Sequence, residues 1–525
     1  MGNALTRASA VAIIVAICGA PAQLSAQLST ALSQVPAAVD PFLVRLTADE
    51  AVRLAAENNL GITAERFNSQ ISDLNVVQAR AAWTPSLVGT ILSRSARSPN
   101  SGFLSGAAGD STTDRNVTST LLVEQAVPWG GNYSIGWDGQ RSTTDSVFSN
   151  FSPQLRTSMS FSYSQQLLRG LSIDNSRQQE QTSLKQREIT DVQLRQTLAT
   201  TSRTVRIAYW DLVFAIASLG VQQQSLDLAR ESVRNTRARI EIGTTPPIEE
   251  IAPLAEVARR EEGVITAEAQ IATAEDTLRT LIFKADDPDF WSLRIEPTET
   301  AAFQPSTVDT GAAVRNALDQ RTDLQQAKKQ LEVTDISIRY ISDQTRPEVR
   351  ADLDYGLTGL GGTQLLQSGV GLPGDVTSQT DRGYGAVFGD LFTNAYPTWT
   401  TALRINVPLG QNPQQANLAR AKLELRQAQT QLKSQELQVV TQVRQAARQV
   451  QTNQKRVETT RVARELSERT LEAEQRKLTA GTSQNFQVLQ AQRDLAAARN
   501  DELRALIDYQ QSVVDLETVQ TVPLR

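Results

Sequence analysis

Residues 172–242 read SIDNSRQQEQTSLKQREITDVQLRQTLATTSRTVRIAYWDLVFAIASLGVQQQSLDLARESVRNTRARIEI. The stretch contains no proline, and Gly220 is its only glycine. Leu, Ala and Val recur at helical spacing among Gln and Arg, so one helix over this range would measure about 105 Å at 1.5 Å per residue. An ordinary globular core needs no helix of that length. The pattern therefore predicts a rod-like protein.

A second rod of the same kind spans residues 414–480. Each rod runs into a glycine, Gly243 or Gly481, at a position typical of a helix C-terminus. A further helix follows each turn, over residues 248–284 and 485–519. Since the turns are short, each rod and the helix after it are expected to be antiparallel neighbours. A coiled-coil seam with 4-3 spacing is predicted along the second rod, at Val439, Val443, Ala446, Val450, Asn453 and Val457.

Composition excludes several classes of protein. The chain has 525 residues, of which 40% are hydrophobic and 5% aromatic, and its formal net charge is -5. An acidic chain lacks the basic surface that nucleic acid requires. It contains no histidine, and Cys18 is its only cysteine, which removes histidine-based triads, most zinc sites and any intrachain disulfide. No carboxylate pair suggests acid–base catalysis, so we expect neither an enzyme nor a cofactor.

The N-terminus has the pattern of a secretory signal peptide over residues 1–22. Arg7 precedes an apolar stretch, Ala8 to Ala20, and Ala20-Pro21-Ala22 provides the small residues of a cleavage site. The alternatives are a buried N-terminal helix or a lipoprotein anchored through Cys18, which Ile17 disfavours. No later stretch approaches the roughly 18 consecutive apolar residues of a membrane helix, so membrane insertion is expected through strands.

Alternation with a period of two replaces the helical pattern between the helices. A capping signal at Thr47 opens a first helix that is predicted to break near Gly61 and to end at about Ala82, before Pro85. The alternating stretches in the first half are Pro85–Ser93, Val117–Val127, Asn132–Asp138 and Leu155–Leu167, all within residues 85–167, with loops expected at Ser95–Asn116 and Arg141–Ser152.

The order of these elements repeats. Ala51-Val52-Arg53 and Pro85 recur 262 positions later as Ala313-Val314-Arg315 and Pro347, and the two rods align at an offset of 238. The first repeat covers residues 23–285, a connecting segment covers 286–305, and the second repeat covers 306–525. Strands in the second half are expected within 347–409, at Glu348–Thr358 and Thr398–Leu409. Two short helices in each half together match the length of the rod and fit end to end beside it.

Each predicted strand has the length of a membrane strand and one apolar face. Because a membrane tolerates no open sheet edge, such strands close into a barrel, and four to six strands are too few for one chain. Several copies are therefore expected to share one barrel, with the hydroxyl-rich faces around a water-filled lumen. The alternative is a soluble β-sandwich with helical arms.

This order of elements resembles the TolC-type outer-membrane efflux proteins. The resemblance rests on the duplicated openings, Pro85 and Pro347, the segments Gln165–Gly170 and Val407–Gly410 before the rods, and the two glycine turns. It implies a mixed α and β membrane protein with an internal two-fold repeat: a homotrimer with a 12-stranded transmembrane barrel in outer-membrane lipid, continued by a coiled-coil barrel of helices across the periplasm. It implies a passive duct of a tripartite efflux or type I secretion system. A periplasmic adaptor protein and an inner-membrane pump would be the partners.

The resemblance also implies that the hairpin tips dock the adaptor and gate the tunnel. The tip residues are Arg239, Gly243, Thr244, Glu249, Glu250, Lys477, Gly481, Thr482, Gln487 and Gln490. Some family members carry a pair of aspartates where this chain has Gln487 and Gln490. Glu249 with Glu250 would supply the acidic ring instead, or these are ordinary acidic residues in the first turn of a helix.

An extra predicted hairpin, residues 117–138, departs from the four strands that the resemblance implies. Either the barrel is wider, or the hairpin sits outside the membrane, which is our expectation from the sequence. The competing functional class is a structural or adhesive cell-surface protein with coiled-coil arms.

Overall fold

A computed structural model describes residues 43–99, 110–305, 307–368, 376–410 and 412–520. The predicted signal peptide, residues 1–22 with Cys18, lies outside the described residues. The helices are α1 Ala48–Asn58, α2 Leu60–Arg80, α3 Asn175–Glu241, α4 Ile251–Ile282, α5 Thr310–Gln320, α6 Thr322–Gln344, α7 Tyr384–Phe392, α8 Pro413–Thr479 and α9 Asn485–Gln520. The two rods, α3 and α8, are each 67 residues long.

The shorter helices lie end to end along the rods, as the lengths predicted. On one flank of α3, Asn58 Nδ2 at the end of α1 donates to the carbonyl of Ile282 at the end of α4, over 3.0 Å. α6 and α9 each pack between α3 and α8. Near the sheet the order of helices is thus α2, α3, α6, α8, and toward the hairpin turns it is α4, α3, α9, α8.

The predicted seam of α8 is largely confirmed. Val439, Val443, Val450, Asn453 and Val457 are buried. The sixth predicted position, Ala446, is only half-buried, and its neighbour Ala447 is buried instead. Asn453 satisfies its amide inside the seam by donating to the carbonyl of Asp508 on α9, over 2.9 Å.

The break in the first helix falls at Asn59 and not at Gly61, where we expected it. Asn59 has an extended backbone, and its Oδ1 accepts from the amides of Gly61 and Ile62 at 2.9 and 3.3 Å, so it caps α2. Gly61 is the second residue of α2. The corresponding break between α5 and α6 is at Arg321, which keeps the offset of 262.

The core of the helical part surrounds the middle of α3. Tyr209, Leu212, Leu278 and Ile282 are fully buried there, beside a two-stranded parallel sheet of β1 Leu43–Leu46 and β6 Arg294–Pro297. Tyr209 donates its hydroxyl to the carbonyl of Leu46 and accepts from the amide of Glu299, each over 3.2 Å. The connecting segment is thereby tied to the rod.

By length and composition, one described helix could cross a membrane, contrary to the expectation from the sequence. That helix is α3. Part of it, including Tyr209 and Leu212, is buried in the core just described. An apolar core helix passes the same test of length and composition, so α3 gives weak evidence of a span.

The large sheet contains β2 Ser86–Pro99, β3 Ser111–Val127, β4 Gly131–Thr144, β5 Phe151–Gln166, β7 Glu348–Gln367, β8 Val376–Arg382 and β9 Pro397–Asn406. All pairs are antiparallel, in the order β2-β3-β4-β5-β7, with β9 on the first half of β7 and β8 on its second half. The sheet is therefore six strands wide at either level.

Several strand predictions need correction. The loop predicted at Ser95–Asn116 is partly strand, because β2 and β3 remain paired as far as Pro99 and Ser111. The loop predicted at Arg141–Ser152 is likewise shortened by β4 and β5. The hairpin at 117–138, which we expected to sit outside the membrane, forms β3 and β4, between β2 and β5 in the same sheet.

The two faces of the sheet differ sharply in polarity. One row of cross-strand partners consists of Leu87, Val123, Ile135, Phe161, Tyr355 and Trp399. The neighbouring row, on the opposite face, consists of Ser86, Glu124, Ser134, Ser162, Asp354 and Thr400. Each row crosses all six strands, so at this level the sheet has one apolar and one polar face. In the next row of the polar face, Val88 and Leu122 are apolar.

Helix α7 covers the far end of the apolar face. The ring of Phe388 stacks on that of Trp137 with centroids 5.7 Å apart. A Cβ at Gly359 would overlap the carbonyl oxygen of Val387, so glycine at this position lets the helix lie directly on β7. The nearer part of the apolar face stays exposed.

Candidate functional site: the tips of the helical hairpins

The first tip is a Schellman turn at the end of α3. Gly243 has φ +78°, and its amide donates to the carbonyl of Ile240 over 3.0 Å. The amide of Thr244 donates to the carbonyl of Arg239 over 2.9 Å, and the Thr244 hydroxyl donates to the same oxygen. These bonds satisfy carbonyls that the end of a helix leaves free. Arg239, Gly243 and Thr244 are therefore the residues that shape the turn.

The second tip repeats this turn at the end of α8. Gly481 has φ +74°, and its amide donates to the carbonyl of Leu478 over 3.2 Å. Thr482 donates its amide to the carbonyl of Lys477 over 2.9 Å, and its hydroxyl also donates there, over 3.2 Å. The offset of 238 between the rods thus extends to the individual hydrogen bonds.

The two tips lie side by side. Asn485, the first residue of α9, donates from Nδ2 to the hydroxyl of Thr236 on α3 over 2.9 Å. A groove of about 230 Å³ between the hairpins is lined by Arg239 from the first tip and by Thr479 and Asn485 from the second. The structure therefore gathers both predicted turns at one end of the helical layer.

Two glutamates follow the turn at the first tip, in addition to Glu241 at the end of α3. Glu250 accepts from Nε of Arg237 over 2.6 Å, which neutralises it locally. Glu249 is exposed in the short 3-10 turn Pro247–Glu250 that begins the return helix. Of the two carboxylates, Glu249 is the more accessible to a passing ion.

The second tip has a different arrangement of charge. Lys477 donates to Glu474 over 2.7 Å, and Ser483 donates to the other oxygen of that carboxylate over 2.7 Å. The Lys477 ammonium, with the Ser483 hydroxyl, lowers the pKa of Glu474. Gln487 and Gln490 are exposed on the first turns of α9, and Gln490 donates to Asp494 over 2.9 Å.

A buried ion pair missed by the sequence analysis joins the two hairpins behind the tips. Glu256 on α4 is 3% exposed, and its Oε2 accepts from Nε and Nη2 of Arg493 on α9 at 2.9 and 2.7 Å. Its Oε1 accepts from Arg260 over 2.8 Å. Burial acts to raise the pKa of Glu256, but Arg493 and Arg260 outweigh it, so the pKa is lowered. No sequence signal links residues 237 positions apart.

Large apolar side chains are exposed around the first tip. Ile242 is 73% exposed and Ile248 is 72% exposed, with Ile251 also exposed one turn later. Phe486 is exposed at the second tip. A cluster of exposed isoleucines at the end of a polar hairpin is a feature that binding to another protein would explain.

The opposite end of the helical layer is fixed to the sheet. Asp343, buried at the end of α6, accepts from the Ser172 hydroxyl over 3.0 Å and from Arg346 over 3.2 Å. The amide of Gly170, which has φ +81°, also donates to this carboxylate. The junction between β5 and α3 is thus a hydrogen-bonded joint, which sets the direction of the rod relative to the strands.

Comparison with known proteins identifies the family. A model of the outer membrane efflux protein family matches residues 51–282 and 313–520. The chain belongs to this family. The matched ranges contain both rods, both tips and all strands of the large sheet. The outer membrane efflux protein family consists of channel proteins, and the two long helices of this chain are consistent with such a protein.

Solved structures of low sequence identity share the fold. CusC covers 91% of this chain and 93% of its own with a TM-score of 0.64 at 15% identity. The Campylobacter jejuni CmeC outer membrane channel gives 0.63 at 13% identity, covering 90% of this chain and 85% of its own. VceC from Vibrio cholerae gives 0.62 at 14% identity, covering 90% and 96%. A comparison with curated protein sequences found no significant match.

The described residues offer no group of metal-ligating side chains. The tips combine glycine turns with exposed isoleucines and the exposed carboxylates of Glu241 and Glu249.

Proposed function

We propose that this member of the outer membrane efflux protein family is the outer-membrane duct of a tripartite efflux or type I secretion system. Three copies would share one barrel and one helical tunnel. The tips would dock onto a periplasmic adaptor, which connects the duct to a pump in the inner membrane. The large sheet would sit in the outer membrane and the helices in the periplasm.

The observation that supports this most directly is the separation of the two ends. The amphipathic sheet lies at one end of two rods of 67 residues, and both Schellman turns lie at the other. At 1.5 Å per residue the rods are about 100 Å long. A part that inserts into lipid and a part that binds a protein are thereby held a fixed distance apart, as a duct across the periplasm requires.

The polar face of the sheet supports a water-filled passage. Asp352 pairs with Arg350 and with Arg404, each over 3.0 Å, so this face carries paired charges. On β5 a run of hydroxyl groups lies on this face, from Ser158 to Ser164 at every second position. Such a wall binds no particular solute, and we infer that the pump, not the duct, selects what is exported.

The test is conduction by the purified protein in planar bilayers. A trimeric duct gives discrete conductance steps. A monomer, or an assembly that inserts but never conducts, would contradict the proposal and favour a structural or adhesive protein. Insertion is verified separately by protease protection of the sheet.

Docking is tested by crosslinking in cells. A photo-reactive residue replacing Ile248 at the first tip should capture a periplasmic adaptor that itself co-purifies with an inner-membrane pump. The same residue replacing Leu437, exposed in the middle of α8, is the matched control. Equal capture from both positions would show that the tips have no special role.

A further inference from the structure

We propose that the hairpin β3–β4 is part of the barrel wall, so that each chain supplies six strands and three chains close a barrel of eighteen. The resemblance to TolC-type proteins implies twelve. The inference relies on the trimer of the proposed function for the number of copies. The six strands per chain follow from the sheet itself.

The pairing of β2 places the hairpin inside the sheet. All of β2, from Ser86 to Pro99, is paired with β3, and the described residues give β2 no second partner strand. β3 and β4 lie between β2 and β5. If this hairpin stood outside the wall, β2 would have to leave it too or detach from β3. This sheet can therefore form a continuous wall from β2 to β5 only if the hairpin is part of it.

The turn of the hairpin reaches the junction between the sheet and the helices. The turn Pro128–Gly131 lies at the end of the sheet that joins the helices: Gly130 accepts from the amide of Gln166 over 3.4 Å, and Trp129 donates to the hydroxyl of Tyr163 over 3.2 Å. A Cβ at Gly130 would lie 2.9 Å from the carbonyl oxygen of Gly170 at the start of the rod. Nearby, Gln125 donates to the carbonyl of Trp83 after α2. A hairpin confined to the outer surface would not reach this junction.

The two faces of the hairpin differ in polarity. Val123 and Ile135 continue the apolar row, and Glu124 and Ser134 continue the polar row. A hairpin in water on both sides gains nothing from this segregation, whereas a wall between lipid and lumen requires it.

The free edges of the six-stranded unit fit a neighbouring copy. β2 and β9 are the first and sixth strands across the sheet, and neighbouring strands are antiparallel, so these two edge strands run in opposite directions. β2 runs away from the helices and β9 runs toward them. β9 of one copy would therefore pair antiparallel with β2 of the next, which joins two edges that would otherwise be open to lipid.

The consequence is a wide lumen. With strands about 4.8 Å apart and tilted about 40°, a barrel of eighteen strands measures about 36 Å between strand axes, against about 24 Å for twelve. The barrel would then be the wide part of the duct, and the tips its restriction.

A matched pair of arginine substitutions on adjacent residues of β3 tests this. Leu121 belongs to the apolar face and Thr120 to the polar face. Leu121→Arg should lower the amount of assembled trimer in outer membranes by more than about tenfold, because arginine at bilayer depth is costly, and Thr120→Arg should leave it nearly unchanged. Equal effects of the two substitutions would overturn the inference.

Counting strands in the unmodified protein makes the test independent of the variants. Electron cryomicroscopy of the trimer in lipid nanodiscs should show eighteen strands. A closed barrel of twelve, with β3–β4 outside it, would overturn this inference and leave the proposed duct intact. Particles without a closed ring of copies would overturn both.

Discussion

Glu256 and Arg493 connect the two helical hairpins through a carboxylate that is almost fully buried. The guanidinium donates twice to the same oxygen, at 2.9 and 2.7 Å, and Arg260 holds the other oxygen. Glu256 lies on the second turn of α4 and Arg493 on the third turn of α9. Any separation of the two hairpins at their tips must therefore break this pair or bend the helices in front of it.

Replacing Glu256 with glutamine should weaken the assembly near the tips. The variant leaves Arg493 and Arg260 without a counter-ion, and since both retain some exposure, we expect a loss of about 1–3 kcal/mol in the free energy of unfolding. Denaturant unfolding measures it. The control is Glu261→Gln, which removes an exposed pair with Arg230 and should cost less than about 1 kcal/mol. Equal losses in the two variants would show that burial of the pair is unimportant.

The contribution of Glu256 should depend on pH. Its folded-state pKa is lowered below the ordinary value of 4.5, so the unfolded chain takes up a proton first as the pH falls. The stabilisation is therefore fully present above about pH 4.5 and is lost as the pH falls through the lowered folded-state value. Thermal unfolding of the wild type and Glu256→Gln should differ by a constant amount at neutral pH and converge in acid. A difference that widens in acid would contradict this sign.

Gly481 should be required for docking but not for the barrel. A Cβ there meets no atom within 4 Å, so Gly481→Val would be strained only by the backbone, whose φ of +74° costs a branched residue about 1–2 kcal/mol. We expect adaptor crosslinking and export to fall while trimer assembly stays normal. Gly220→Ala is the control: it also has open space but lies inside α3, so it should stabilise by about 0.5–1 kcal/mol without affecting export. Unimpaired export by the valine variant would remove the role assigned to this turn.

Glu249 should contribute to cation selectivity if it faces the passage at the tips. Repeated by symmetry, an accessible carboxylate forms a ring that attracts cations, so Glu249→Gln should shift the reversal potential in a salt gradient toward that of an unselective pore. Glu268→Gln is the control, since Glu268 is exposed on the same hairpin about 28 Å farther along the helix, beyond the screening length. An unchanged reversal potential in the first variant would refute the acidic ring.

The helical part of the fold could be predicted because its signals are local. Long runs at helical spacing gave both rods to within three residues at each end, and the glycines marked turns whose hydrogen bonds match. The predicted break was placed at Gly61 instead of Asn59 because glycine is a common helix breaker. An asparagine before a helix start is the stronger signal, since its side chain caps the helix.

The missed elements depend on contacts far apart in the chain. Helix α7 has nine residues, two of them glycine, and its helical form is supported by packing on Gly359 and Trp137. β8 is polar after its first residue, Val376, and is defined by pairing with β7. The strands also extend into polar residues such as Arg97, because pairing continues where the apolar alternation ends. The pair of Glu256 with Arg493 exists only once two hairpins meet.

The identical length of α3 and α8 has a mechanical consequence. Inserting one residue in either rod would advance its tip by about 1.5 Å and turn it by about 100°, carrying the glycine turn to a different side of the layer. Inserting seven would nearly restore the side but would raise one tip about 10 Å above its twin. The two rods must therefore keep the same length for the tips to stay level. We expect natural changes in the length of the helical part to come as equal insertions in both rods.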